Sequence, residues 1–251
     1  MIRIEDDDVV RVLHLARPPV NALGREMLAA IRDQVAATSE PGVGAAVLAG
    51  ADGIFSAGLD LPELLSLGPD ELRDALELFF DAMEALATAP VPIVAAITGH
   101  CPAGGAVLSL FCDLRIMADG PYAIGLNEVR VGIPMPEVVA ALARRALGPR
   151  QAEIALVAGQ MVSPADALAM GFVDEVVPPA DVLPRALSRA RELAALPQRA
   201  RDVTRSRMRA DLRDMVTRHR VADCAFLAEE WFRPEVQEPL RALVSRLKSR
   251  G

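Results

Sequence analysis

The chain has 251 residues, 52% hydrophobic and 24% charged, which supports a substantial core and argues against disorder. A net charge of −7 excludes nucleic acid as a main partner, because phosphate binding needs a basic face, and leaves room for one anionic ligand on local cations. No run approaches the roughly 18 uninterrupted apolar residues of a membrane span, and the start Met1-Ile2-Arg3-Ile4-Glu5-Asp6-Asp7-Asp8 lacks a signal peptide's basic and apolar regions, so a cytoplasmic protein without membrane insertion is expected.

In chain order, Val9 to Leu15 reads as a strand ending before Arg17-Pro18-Pro19, and Gly24 to Ser39 carries helical spacing in Met27, Leu28, Ile31 and Val35. Gly44 to Gly50 is a short apolar run typical of a strand buried on both faces. A Gly-containing loop precedes a helix predicted over Asp70 to Thr88, which Pro90-Val91-Pro92 ends before a buried strand over Ile93 to Ile97. Thr98 to Pro102 reads as a turn, Ala103 to Phe111 as a buried helix and Asp113 to Ala118 as a strand. The alternation points to an α/β fold with ligands at the loops after strands.

Beyond Pro136 the signals are mostly helical. Ser163-Pro164-Ala165-Asp166 opens a helix with an N-cap, a first-turn proline and an acid at the positive end of the dipole, and Gly171 stops it. Val173 to Val177 reads as a short strand, and the final stretch as amphipathic helices holding the one tryptophan, Trp231. Their apolar stripe must be buried on the core or on a second subunit. Cys101, Cys112 and Cys224 form no CxxC pair, so reduced thiols are expected, with neither disulfides nor a metal site.

Three segments carry chemistry. Phe55-Ser56-Ala57-Gly58-Leu59-Asp60-Leu61 follows a strand and can present backbone N–H groups to a ligand oxygen, although most such loops are only turns. Gly99-His100-Cys101-Pro102-Ala103-Gly104-Gly105-Ala106 puts a glycine pair at a helix start, suited either to a developing oxyanion or to close helix packing. Ile124-Gly125-Leu126-Asn127-Glu128 sets a carboxylate in an apolar stretch, where desolvation would raise its pKa; taken alone, the segment favours an ion pair with Arg130 or another surface cation.

In this order the three resemble the enoyl-CoA hydratase/isomerase (crotonase) superfamily over essentially the whole chain, most of all the mitochondrial-type Δ3,Δ2-enoyl-CoA isomerases. Cys112 to Asp119, Ala200 to Arg205 and Leu243 to Lys248 extend the match. The resemblance implies a spiral of ββα units over 1–195, a helical C-terminal region over 196–251, and a homotrimer or hexamer. It implies an acyl-CoA substrate from fatty-acid β-oxidation and no cofactor, coenzyme A being part of the substrate. The N–H groups of Leu59 and Gly104 would form the oxyanion hole, with Ser56, Ala57, Gly58, Asp60, Leu61 and Asn127 along the bound thioester and Glu128 as proton carrier.

Hydratases of the superfamily use a second glutamate in the helix after the glycine pair; Val107 stands there. One carboxylate still suffices to move a proton from C2 to C4, so isomerisation is the expected reaction. Hydration, another enolate chemistry including thioester hydrolysis, and a silent acyl-CoA-binding role are the alternatives. Glu137 is a candidate second acid, with a helix-start role favoured. His100, Asp60, Asp113 and Asp119 read as structural, and Cys101 and Cys112 as non-nucleophilic. The pocket is expected to be lined in part by the helix at 70–88 and by the C-terminal region.

Overall fold

The computed structural model describes residues 1–248, so the last three residues of the C-terminal region lie outside the described residues. It begins with an antiparallel pair, β1 (Ile2–Asp7) and β2 (Val10–Leu15), turned through Asp8 at φ 57°. Then come α1 (Arg25–Ala36), β3 (Ala45–Ala49), β4 (Gly53–Ile54), α2 (Leu61–Leu64) and α3 (Pro69–Ala87). The next turn of the spiral is β5 (Ile93–Ile97), β6 (Gly99–Pro102) and α4 (Gly104–Leu110). The third is β7 (Leu114–Ala118), β8 (Ile124–Gly125) and a 3-10 turn over Glu128–Val131. The core closes with α5 (Glu137–Leu147), α6 (Pro149–Ala158), β9 (Met161–Val162), α7 (Pro164–Met170), β10 (Glu175–Val177) and α8 (Val182–Ala194). Helices α9 (Gln198–Met208), α10 (Ala210–Trp231) and α11 (Pro234–Lys248) follow.

The main sheet has the order β1-β2-β3-β5-β7-β10 and is parallel from β2 onward. Strand side chains alternate between its two faces. Val12, Val47, Val94 and Ile116 meet Val182, Ala186 and Ala190 of α8. Leu13, Leu48 and Ile97 join the larger cluster with α1 and α3. Burial on both faces explains why β3 and β5 read as unbroken apolar runs.

A second sheet, ordered β4-β6-β8-β9, was not foreseen: β6 replaces the turn expected at 99–102, and β1 is also additional. Glycines allow its strands to touch, since a Cβ on Gly99 would lie 1.9 Å from the carbonyl carbon of Gly53, and one on Gly125 2.1 Å from the Gln160 oxygen. The strand expected from Val173 begins only at Glu175.

The C-terminal helices fold back onto the core. Arg205 holds Asp113 with two bonds of 2.7 and 2.9 Å and donates to the Ala89 carbonyl, while Arg209 donates to the Leu86 carbonyl. Helix α10 packs on α3 and α5, and α11 meets α2 and the 3-10 turn at 128–131. Buried Asp223 of α10 caps α5, accepting from the N–H groups of Glu137 (3.1 Å) and Val138 (2.8 Å).

Candidate active site

The loop after β4 is fixed from beneath. Fully buried Ser56 donates through Oγ to the Asn21 carbonyl (2.8 Å) and accepts the Gly58 N–H (3.1 Å), and Asn21 Nδ2 donates to the Phe55 carbonyl. Gly58 has φ +83°, where a side chain would be strained. Leu23 bridges to the loop, donating to the Gly58 carbonyl and accepting from the Asp60 N–H. That bridge leaves the N–H of Leu59, between them, without an acceptor among the described residues.

The second donor comes from α4. Ala103, its N-cap, sits at φ 49°, ψ −125°, held there by its N–H to the Gly125 carbonyl and by the Val107 N–H on its own carbonyl. Such a backbone costs of order 1–3 kcal/mol and occurs where the surroundings over-determine it. It turns Gly104 into the first helical position, whose N–H has no intrahelical partner. The two segments touch: a Cβ on Gly104 would be 3.4 Å from Leu59 N, and one on Gly105 2.8 Å from the Ser56 carbonyl oxygen. Two unspent backbone donors thus lie side by side, the arrangement that stabilises a developing oxyanion.

They open onto a cavity of about 170 Å³. Ala57, Leu59, Leu61 and Gly104 form one part of its wall, and Asn127 and Glu128 another. Leu76 and Phe79 of α3, Val107 of α4 and Val139 of α5 make it apolar, and Leu227, Trp231 and Leu243 close it from the C-terminal helices. Lining by α3 and by the C-terminal region agrees with the expectation.

Glu128 opens the 3-10 turn. Its Oε2 is out of solvent and finds no hydrogen-bond partner. Burial pushes its carboxyl up from the ordinary 4.5 to about 7, against a smaller opposing effect of its own backbone N–H. The alternative ion pair is not formed, since Arg130 is exposed and donates to the Ala158 carbonyl. Asn127 Oδ1 is likewise buried without a partner.

The other candidates take supporting positions. Ser56, Gly58 and Asp60 shape the loop without reaching the cavity wall. Asp60 caps α2 through the Glu63 N–H and pairs with Arg17 at 2.5 Å. Glu137 lies outside the wall, half exposed, bonded to Arg144 at 2.8 Å. His100 accepts the Ala123 N–H on Nδ1 and meets the Tyr122 ring edge-on. Asp113 accepts the Ile93 N–H, and Asp119 the Gly120 N–H. Cys101 and Cys112 are buried, and burial pushes the Cys112 thiol up to about 12, far from a reactive thiolate. Asn21, Leu23 and Ala103 were not anticipated; Leu23 and Ala103 act through backbone geometry, which residue type does not announce, and Asn21 through a side chain that binds the distant Phe55 carbonyl.

The Enoyl-CoA hydratase/isomerase family profile matches residues 5–250. Enoyl-CoA delta isomerase 1, mitochondrial, of Mus musculus is 35% identical, covering 100% of this chain and 88% of its own. Probable enoyl-CoA hydratase EchA17 of Mycobacterium tuberculosis is 38% identical over 77% of this chain and 74% of its own. The crystal structure of human mitochondrial delta3-delta2-enoyl-CoA isomerase superposes with a TM-score of 0.95 at 33% identity, covering 99% of this chain and 98% of that one. Two of these names place the relative in mitochondria, a compartment that the expected cytoplasmic location does not share. Among the described residues, no helix is long and apolar enough to cross a membrane.

Proposed function

We infer that this chain, which belongs to the enoyl-CoA hydratase/isomerase family, is a Δ3,Δ2-enoyl-CoA isomerase that works with one carboxylate. The thioester carbonyl oxygen receives the N–H groups of Leu59 and Gly104. Glu128 removes a proton from C2 of a 3-enoyl-CoA, giving a dienolate whose charge rests on that oxygen. The protonated Glu128 then returns the proton at C4, which moves the double bond to C2–C3. Losing one oxyanion donor in other enzymes costs roughly 2.7–4 kcal/mol, so the pair supplies much of the enolate stabilisation.

The observation that carries this reading is the buried carboxyl of Glu128, its Oε2 without a partner and its pKa pushed up to about 7, in an apolar cavity whose α4 wall offers Val107 and no second acid. A base near neutrality is matched to both halves of the transfer, and apolar walls keep water from the dienolate. Hydration lacks the second group that would hold and activate its water. A homotrimer or hexamer is proposed as the assembly, supported by exposed Val221, Phe226 and Phe232 on the C-terminal helices and their approach.

The test is Glu128→Gln. Isomerisation of a 3-enoyl-CoA is expected to fall about 10²- to 10⁴-fold while a saturated acyl-CoA still binds. Near-normal turnover would overturn the assignment. Parallel assays with a 2-enoyl-CoA and a saturated thioester are expected to show neither hydration nor hydrolysis at a comparable rate.

A further inference from the structure

Helix α11 touches both segments that carry the chemistry. Its first turns pack on the 3-10 turn that begins at Glu128, and its later turns face α2, which begins two residues after Leu59. Leu243 stands on the cavity wall with Leu59, Leu61 and Glu128. The contact with the Glu128 turn is at backbone distance: a Cβ on Gly132 would lie 2.8 Å from the Glu235 carbonyl oxygen. Pro239, inside the helix, has no N–H to give to that carbonyl one turn back, so α11 is weakened where it meets the turn. The helix is also held differently from its neighbours. Helices α9 and α10 are pinned by charge: Arg205 on Asp113, Arg220 on Glu77 and Asp81 at 2.6 Å each, and Asp223 on the start of α5. From Pro234 to Ser245, every hydrogen bond of α11 among the described residues stays within the helix or returns to Arg233 and Trp231 at its root. What seats it is apolar, through buried Val236, Leu240 and Val244. Its link to α10 is two residues, Phe232 and Arg233.

We propose that α11 is a closing strap, hinged at Phe232–Arg233, that lifts to admit the acyl chain and on its return holds the Glu128 turn and the oxyanion loop together. The proposal rests on the acyl-CoA reading of this cavity and adds how the cavity is entered. Elements that move for a ligand come from the part of a fold held by the fewest bonds, and lids turn on a few residues at element ends. An acyl chain against Leu243 adds apolar contact in the closed position only, so chain binding draws the strap down. Closure sets α11 on the Glu128 turn and on α2 at once, which fixes the acid and the Leu59 donor relative to one another when a chain is in place. It also shuts water out before the dienolate forms.

The experiment bridges the strap to the core in the full chain. Ser66, just after α2, and Ser245 of α11 are exposed, line one surface hollow and lie off the cavity wall. The three native cysteines are buried, so in Ser66→Cys/Ser245→Cys a short bis-methanethiosulfonate meets the two introduced thiols, and a reductant later cleaves the bridge. Association of hexanoyl-CoA, a saturated ligand, with the immobilised protein is followed by surface plasmon resonance. The bridged protein is expected to bind about tenfold or more slowly, with the rate restored on reduction. An equal rate with the bridge in place would overturn the strap, since the chain would then enter with α11 shut. Hydrogen exchange of the unaltered protein decides the matter even if the bridge does not form. Amides of α11 should exchange about tenfold or more faster than those of α10 and slow when hexanoyl-CoA is bound. Protection of α11 equal to that of α10 without ligand would overturn the proposal. Neither readout needs turnover, so loss of 3-enoyl-CoA isomerisation would count against the isomerase reading alone. Failure of the unaltered protein to bind hexanoyl-CoA would count against the acyl-CoA reading, and exchange in the unliganded chain would still test the strap.

Discussion

At Glu128 the same burial sets both reactivity and stability. In the proposed reaction the carboxyl is ionised when it takes the C2 proton, so kcat/KM is expected to rise with pH through about 7 in the free enzyme. The native chain keeps this proton up to about 7, whereas the unfolded chain releases it near 4.5. Stability from this group therefore declines as pH rises through that window, and above it the ionised native form is disfavoured by roughly 3 kcal/mol. Glu128→Gln removes the penalty. It should exceed the wild type in urea denaturation at pH 8 and match it near pH 4.5; equal differences at both would exclude a raised pKa. The residue's apolar neighbours were legible and the family resemblance put Val107 where a second acid would stand, but the segment alone favoured an ion pair, and only the fold shows Arg130 turned to the Ala158 carbonyl. The same reading could not tell that Trp231 reaches the cavity, since that depends on how α10 meets the core, or that Glu137 turns outward to Arg144 of its own helix.

Among the elements, the long ones were legible and the short ones were not. Helices α1 and α3 and strands β3 and β5 carry a clear period or an unbroken apolar run. Strands β4, β6, β8 and β9 have two to four residues, too few for alternation, and their pairing depends on glycines that residue type alone marks as turns. This second sheet supports the oxyanion loop, so Gly105 is a sharp probe. Its Cβ would press the Ser56 carbonyl at 2.8 Å, and the loop must shift to admit it. Gly105→Ala is expected to lower kcat about ten- to a hundredfold with a smaller change in KM, because the donors are needed most in the transition state. Equal kcat in the variant would mean that the loop tolerates displacement. Asp223 offers the complementary case on α10: Asp223→Ala strands two N–H groups at the start of α5 and should cost about 1–3 kcal/mol in chemical denaturation. Asp223→Asn, which keeps one acceptor oxygen, should recover part of that loss.

Across the whole molecule, the spiral supplies the two backbone donors and Glu128, while the C-terminal helices close the cavity over them. Helical spacing in the tail showed that an apolar stripe had to be buried; only the fold shows that Leu227, Trp231 and Leu243 finish the cavity of the same chain. An engineered cavity of about 150 Å³ in another protein accommodates benzene, so a space of about 170 Å³ suits a short acyl tail. Turnover across 3-enoyl-CoAs of increasing length is therefore expected to peak at short chains and fall steeply beyond. Leu243 is the position at which to move that limit. It lies on the wall, and it is only half-buried, so truncating it should destabilise less than the 2–5 kcal/mol typical of a core Leu→Ala change. Leu243→Ala should shift the optimum toward longer chains and leave the acid limb near 7, because the change trades one apolar side chain for another and adds no charge or hydrogen-bonding group beside Glu128. A lengthened optimum with an unchanged pH profile would separate the depth of the pocket from its chemistry. An unchanged optimum would mean that the chain leaves the cavity by another route.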